Sequence, residues 1–331
     1  MEKKKIKMKK FVYIFFVSLI LLASIFAGWI LQYFLPFSEV PLKEKPFLSL
    51  KLKKRLNLTN EGPIAVKVLK EKQTEDLIIR LLGIKSRTFR SRAYLIFPRN
   101  IKGPQPAILC LHGHHTSIED VVGLRRSPFG VNFGIRLAKR GFVVFAPEIP
   151  YSKDMATEDL LSLNLIMAGR TLTGMRVSFL RALLDYLSGL PFVDSKRIGC
   201  VGWSMGGGLT LYLAAIDKRI KVAAISGYFG TFKGTFMRRR QSTDNYIPGI
   251  LQVGEMHDIA CLIAPRPLWI EGGENDPEFP KESFLKAVRK LELCYKDYED
   301  RLHWHLTPGG HRFGGEGLEE WFEKWLSGKK R

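Results

Sequence analysis

Arg197-Ile198-Gly199-Cys200-Val201-Gly202-Trp203-Ser204-Met205-Gly206-Gly207-Gly208 decides how the rest of the chain is read. Residues 198–201 form a short apolar run with the character of a buried strand, and residues 209–216 continue at helical spacing. Between them lies Gly202-Trp203-Ser204-Met205-Gly206, a G-x-S-x-G turn. With 30 glycines in 331 residues the bare pattern carries little weight. Its place between a strand and a helix carries the argument. A serine there must take up strained dihedrals, and side chains at the flanking positions would strike the neighbouring strand and helix. The helix N-terminus meanwhile aims backbone N–H groups at any negative charge developing near the hydroxyl. Ser204 is therefore the candidate nucleophile.

Working outward, short apolar runs alternate with helical segments. Residues 107–111, 142–146, 222–226, 267–270 and 303–306 read as strands. Residues 131–140, 281–293 and 318–326 read as helices, and 174–187 carries Val177, Leu180, Leu183, Leu184 and Leu187 on one stripe. Such regular alternation predicts an α/β fold with a mostly parallel sheet covered by helices on both faces. Upstream, 64–69, 77–84 and 93–97 alternate and are separated by charged turns, as antiparallel strands with one solvated face do. Residues 229–264, which include Arg238, Arg239 and Arg240, exceed a usual connection and read as a short lid insertion; 151–172 can form another wall.

A serine hydroxyl needs a base, and the base an orienting carboxylate, here expected in the order serine, acid, histidine. Of seven histidines, His311 lies in Pro308-Gly309-Gly310-His311-Arg312-Phe313, a loop just after the last expected strand. His303 and His305 fall within that strand on one side, and His257 falls in the insertion. Asp276, in Gly273-Glu274-Asn275-Asp276-Pro277-Glu278-Phe279-Pro280, follows the strand at 267–270 and is the candidate acid; Glu271, Glu274 and Glu278 are its rivals. The Met205 and His114 N–H groups are the candidate oxyanion donors, with Gly113 letting the backbone approach. His112, His114 and His115 raise the alternative of a metal site. Three such close imidazoles do not converge readily from a loop, and no nearby carboxylate in sequence completes a ligand set, so no metal or cofactor is expected.

The composition, 46% hydrophobic and 25% charged, is that of a globular protein with one sizeable core and excludes fibrous, disordered and disulfide-dense classes. The net charge is +20; six lysines and one glutamate in the first ten residues supply +5 of it. The other +15 is diffuse, and no zinc-finger, RNP-like or basic-region pattern accompanies it, so no nucleic-acid partner is expected. No charged residue occurs from 11 to 38, and residues 11–31 would make a helix about 31 Å long, one hydrocarbon core. Lys3, Lys4, Lys5, Lys7, Lys9 and Lys10 should stay cytoplasmic and send the remainder outward. Trp29 and Tyr33 suit an outer aromatic belt, and Pro36 ends the helix. The expected organisation is a basic tail (1–10), a transmembrane signal anchor (11–35), a linker (36–60) and one domain (61–331) with its insertion at 229–264. The alternative is a secreted protein whose signal is cut near Ala27, for which Ile25 is a poor site residue. Cys110, Cys200, Cys261 and Cys294 show no CxxC spacing and are expected as free, buried thiols.

Together these residues resemble the α/β-hydrolase superfamily, in its dienelactone-hydrolase-like and acetyl xylan esterase-like branch, over about residues 60–328. The stretches that carry the likeness are LHGHH at 111–115, RIGCVGWSMGGG at 197–208, APRPLWIEGGENDPEFP at 264–280 and PGGHRF at 308–313, with 246–250 and 258–260 beside them. The resemblance implies Ser204 as nucleophile, His311 as base and Asp276 as its orienter. It also implies a small-molecule or carbohydrate ester as substrate, with short acyl groups such as acetyl. Dienelactone hydrolases proper use a cysteine where this chain has Ser204, which favours ester hydrolysis over lactone specialisation. His114-His115 stand where relatives often carry smaller residues. A prolyl-oligopeptidase-like peptidase would share the triad but normally brings a large gating domain that some 60 residues cannot supply. A non-catalytic binding module would have no use for the three side chains.

Overall fold

The computed structural model describes residues 45–151 and 154–328. The expected basic tail and membrane anchor lie outside these residues; among those described, no helix is long and apolar enough to cross a membrane.

Nine strands form one sheet: β1 (Ala65–Gln73), β2 (Leu77–Lys85), β3 (Arg90–Pro98), β4 (Gln105–Leu111), β5 (Val143–Pro147), β6 (Val193–Trp203), β7 (Ile220–Ser226), β8 (Leu268–Gly273) and β9 (Leu302–Thr307). Their order is β1-β2-β3-β5-β4-β6-β7-β8-β9. The first three strands and β5 pair antiparallel, and every pairing from β5 through β4 to β9 is parallel. This is the mixed sheet expected of an α/β-hydrolase, and each strand anticipated from the sequence is present, usually a few residues longer. Charged β1 is almost wholly exposed along an edge of the sheet, where Lys67, Lys70 and Lys72 discourage pairing with another chain.

The side-chain period of two explains why the central strands look continuously apolar. On β4, Ala107, Leu109 and Leu111 enter one core while Ile108 and Cys110 enter the other; β5 divides Val143 and Phe145 from Val144 and Ala146 likewise. On the first face pack α1 (Lys45–Leu56), α5 (Leu172–Ser188), α6 (Met205–Ile216), α7 (Met256–Cys261) and α8 (Lys281–Tyr295). On the second pack α2 (Ile118–Val122), α3 (Phe133–Lys139) and α9 (Leu318–Leu326). The remaining helix, α4 (Met155–Met167), lies in the segment read as a second wall.

Two expectations are corrected. The stretch read as a linker contains α1, whose Leu48, Leu52 and Leu56 are buried in the core. Leu56 O accepts the Thr171 hydroxyl at 3.2 Å, and Asn57 donates to Gly169 O at 2.7 Å, so the helix end is tied to the start of α5. Leucines four residues apart were the signal; the surrounding lysines, Pro41 and Pro46 hid it. The cysteines also differ: Cys110 and Cys200 are free and buried as expected, but Cys261 and Cys294 form a disulfide joining α7 to α8. Sequence spacing cannot show such a pairing, because it depends on two helices packing side by side.

Candidate active site

β6 delivers Ser204 at the C-terminal edge of the sheet, and the backbone there adopts φ +53°, ψ −124°. A non-glycine residue reaches this region only when its surroundings enforce it. The Ser204 N–H donates to Ser226 O at the end of β7 (2.8 Å). A Cβ on Gly202 would lie 2.0 Å from Gly206 O, and one on Gly206 would lie 2.4 Å from Leu111 O. The two glycines of the motif are therefore demanded by close backbone approach.

The two other sequence-assigned side chains converge on this serine. His311 Nε2 is 2.8 Å from Ser204 Oγ, and His311 Nδ1 is 2.7 Å from Asp276 Oδ2. The other Asp276 oxygen accepts the backbone N–H groups of Glu278 (2.8 Å) and Phe279 (3.1 Å), so this carboxylate is held from both sides. The imidazole is confined by Trp203 and Phe279, with ring centroids 5.0 and 6.0 Å away. Ser204 and Asp276 are buried, while the His311 side chain keeps 16% exposure, leaving one edge for an incoming reactant.

The rivals for the acid fall elsewhere. Glu274 is exposed and Glu278 half-buried. Glu271 is completely buried on β8: one oxygen accepts Ser226 Oγ–H (2.6 Å) and Gly314 N–H (2.9 Å), the other Gly315 N–H (2.6 Å). It fastens the chain just after His311 to the strand end that also supports Ser204. His305 lies 3.2 Å from the same carboxylate, and His303 and His305 pack on Trp269. His257 is on α7 beside Asp258. The 229–264 insertion reaches the Asp276 loop: Arg239 donates to Pro277 O (3.0 Å), Gln241 to Glu278 O (3.3 Å), and Phe236 packs on Phe279.

The loop after β4 carries the second candidate oxyanion donor. Gly113 sits so tightly that a Cβ would come 2.6 Å from Trp203 and 2.9 Å from the Ser204 Cβ. Thr116 Oγ1 accepts Gly113 N–H and donates back to Gly113 O, both at 3.0 Å. His112 is buried, and burial pulls its pKa down to about 4. The neutral ring donates from Nδ1 to Gly113 O (2.9 Å) and accepts Ile149 N–H at Nε2 (2.8 Å). The loop's peptides are thus pinned beside Ser204. The His114 and Met205 N–H groups have no hydrogen-bond partner within the described residues, as donors reserved for a ligand should.

The three clustered histidines do not share a focus, but His114 alone meets two carboxylates that are distant in sequence. His114 Nε2 is 3.0 Å from Glu158 on α4 and 3.7 Å from Asp244, which lies in the insertion. These three groups place ligand atoms within 4.8 Å of one another. Fully buried Arg176 of α5 already donates to both carboxylates, 2.7 Å to Glu158 and 2.8 Å to Asp244, so the arrangement is an ion network rather than a metal site. Burial opposes charge on His114, but the Glu158 hydrogen bond and the Asp244 charge outweigh it and raise its pKa. Burial raises the Asp244 carboxyl, whereas His114 and Arg176 together hold Glu158 low despite its burial. Arg176 had a signature in the sequence: it stands four residues before Leu180 and seven before Leu183, on the apolar face of α5, where a lone charge demands partners.

Comparison with known proteins identifies the family and the fold. The Dienelactone hydrolase family model matches residues 91–314. The chain is similar to "Putative hydrolase YtaP" of Bacillus subtilis, 26% identical over 72% of this chain and 83% of that protein. It is similar to the acetyl esterase Axe7A of Xylanibacter ruminicola, 26% identical over 69% of this chain and 56% of that longer protein. Among solved structures, acetyl xylan esterase 1 of Thermoanaerobacterium sp. shares the fold with a TM-score of 0.56 at 16% identity, covering 86% of this chain and 92% of that one. With the family model spanning more than half of its residues, the chain belongs to the dienelactone hydrolase family.

Proposed function

We propose that this protein is a serine esterase that removes short acyl groups, in the first place acetyl groups from carbohydrate, through an acyl-enzyme. The observation that carries this reading is the continuous relay from Asp276 through His311 to Ser204, with both hydrogen bonds under 3 Å. His311 Nε2 takes the hydroxyl proton as Ser204 Oγ attacks the ester carbonyl, and the carbonyl oxygen becomes an anion. The Met205 and His114 N–H groups stabilise that oxygen, and helix α6 adds its positive end. Collapse of the tetrahedral species expels the alcohol, which receives the proton from His311. Water, deprotonated by the same imidazole, then attacks the acyl-serine, and the acid leaves. Asp276 keeps the proton of neutral His311 on Nδ1, so that Nε2 faces Ser204 as a base. The acetyl-carbohydrate preference rests on the acetyl esterases to which the chain is similar.

The uncharged run at 11–31 behind six lysines supports an N-terminal membrane anchor with the hydrolase domain outside the cytoplasm. A panel of acetyl, butyryl and longer acyl esters of sugars, set beside aminoacyl amides, tests the substrate class. Highest kcat/KM on acetylated sugars is expected; preference for the amides would replace the esterase reading with a peptidase.

A further inference from the structure

We propose that Arg176, Glu158 and Asp244 are positioning residues for the oxyanion hole, with the His114 side chain as the tether through which they hold the His114 N–H in place. This inference rests on the serine esterase reading of Ser204. Arg176 touches one half of the hole directly and reaches the other through two carboxylates. Its Nη1 lies 3.3 Å from the sulfur of Met205, the residue that supplies one N–H. Through Glu158 and Asp244 it reaches His114, the residue that supplies the other. Its Nε and Nη2 also donate to Pro150 O, at 3.0 and 2.9 Å, fixing the guanidinium to the chain that follows β5.

A fully buried guanidinium is costly unless its donors are matched, and here every nitrogen has a partner. With His114 protonated, two cations face two carboxylates and the group is neutral. The groups around His114 are Glu158 and Asp159 from α4, Arg176 from α5, Asp244 from the insertion and neutral His112 from its own loop. Four separate segments thus meet at a point that no packing of apolar side chains would define so narrowly. Thr116 and His112 hold the Gly113 carbonyl end of the peptide that carries the His114 N–H, and the His114 side chain anchors the far side of the same peptide at its Cα. Neighbouring His115 is in the left-handed region, φ +59°, so the loop turns sharply at this position and needs such a tether. If the side chain mattered only by carrying a backbone N–H, its removal would be silent.

The test uses the full-length chain and the rate at which a fluorophosphonate labels Ser204, which needs nucleophile and oxyanion hole whatever the ester specificity. His114→Ala keeps the backbone N–H and should label about 10- to 100-fold more slowly, a partial loss of one oxyanion donor. His114→Gln can still donate to Glu158 and should stay within about threefold of the parent by the same reasoning. With p-nitrophenyl acetate the loss in His114→Ala should fall on kcat with KM unchanged, measured at a temperature below the lowered unfolding midpoint that loss of a partner to two buried carboxylates brings. Glu158→Gln should slow labelling too, and adding it to His114→Ala should cost little more, because both cut one link. Parent-like labelling by His114→Ala, equal loss in His114→Gln, or fully additive losses would each overturn the inference and leave the esterase reading standing. A parent that does not label at all would overturn that reading and this inference with it.

Discussion

Asp276→Asn is the substitution whose outcome the geometry fixes most closely. In the parent, one carboxylate oxygen accepts two backbone N–H groups, from Glu278 and Phe279, and the other accepts the His311 Nδ1 proton. An asparagine has one acceptor and one donor end. The two loop N–H groups require the acceptor, so the amide oxygen must take their side and the NH2 must face His311. Nδ1 can then only accept, the imidazole proton moves to Nε2, and Ser204 meets a donor where it needs a base. Replacing an orienting aspartate in this way costs about 10⁴ in kcat in a serine protease with the same relay, or about 5.4 kcal/mol at 1.36 kcal/mol per decade. Little stability should be lost, since the loop bonds survive. Steady-state hydrolysis of p-nitrophenyl acetate, with thermal unfolding alongside, measures both. A folded variant retaining a tenth of parental kcat would refute the assignment of Asp276.

Three further outcomes follow from other contacts. Glu271→Gln sets an amide N–H against a loop N–H, so stability should fall by about 1–3 kcal/mol, and kcat should fall with it as the segment after His311 loosens; unchanged turnover in a destabilised variant would separate Glu271 from the site. For His112, the folded pKa of about 4 lies below the unfolded value of about 6.5, so its contribution is complete above pH 6.5 and is lost as pH falls towards 4. That amounts to about 3 kcal/mol, and denaturant unfolding at pH 7 and pH 4.5 should show a shallower slope for His112→Gln than for the parent. The Cys261–Cys294 disulfide spans 33 residues, so Cys261→Ala with Cys294→Ala should lower stability by about 3–4 kcal/mol in denaturant unfolding, and an unshifted midpoint would count against it.

Much of the site was legible in the sequence because its parts sit at fixed points of a strand–helix alternation. Ser204 follows β6 and begins a helix, and Asp276 and His311 follow β8 and β9, the last two strands of the sheet, so chain order alone placed them. The strand and helix positions were legible for the same reason, through periods of two and 3.6. What stayed hidden depends on contacts between distant segments. Glu271 looked like a spare carboxylate because its partners, Gly314 and Gly315, are backbone groups without a sequence signature. Glu158 and Asp244 lie 44 and 130 residues from His114, and only the packing of α4, α5 and the insertion joins them. The helix at 45–56 was masked by lysines that carry its solvent face, and the disulfide by the distance in sequence between its halves.

The central claim, that Ser204 is acylated during turnover, is tested most directly by acid-quenching the full-length protein during hydrolysis of p-nitrophenyl acetate and mapping its peptides by mass spectrometry. The account predicts a p-nitrophenolate burst of about one equivalent, an acetyl group on the peptide bearing Ser204, and neither in Ser204→Ala. Sustained hydrolysis by Ser204→Ala, or an acetyl group fixed reproducibly on another side chain, would contradict it.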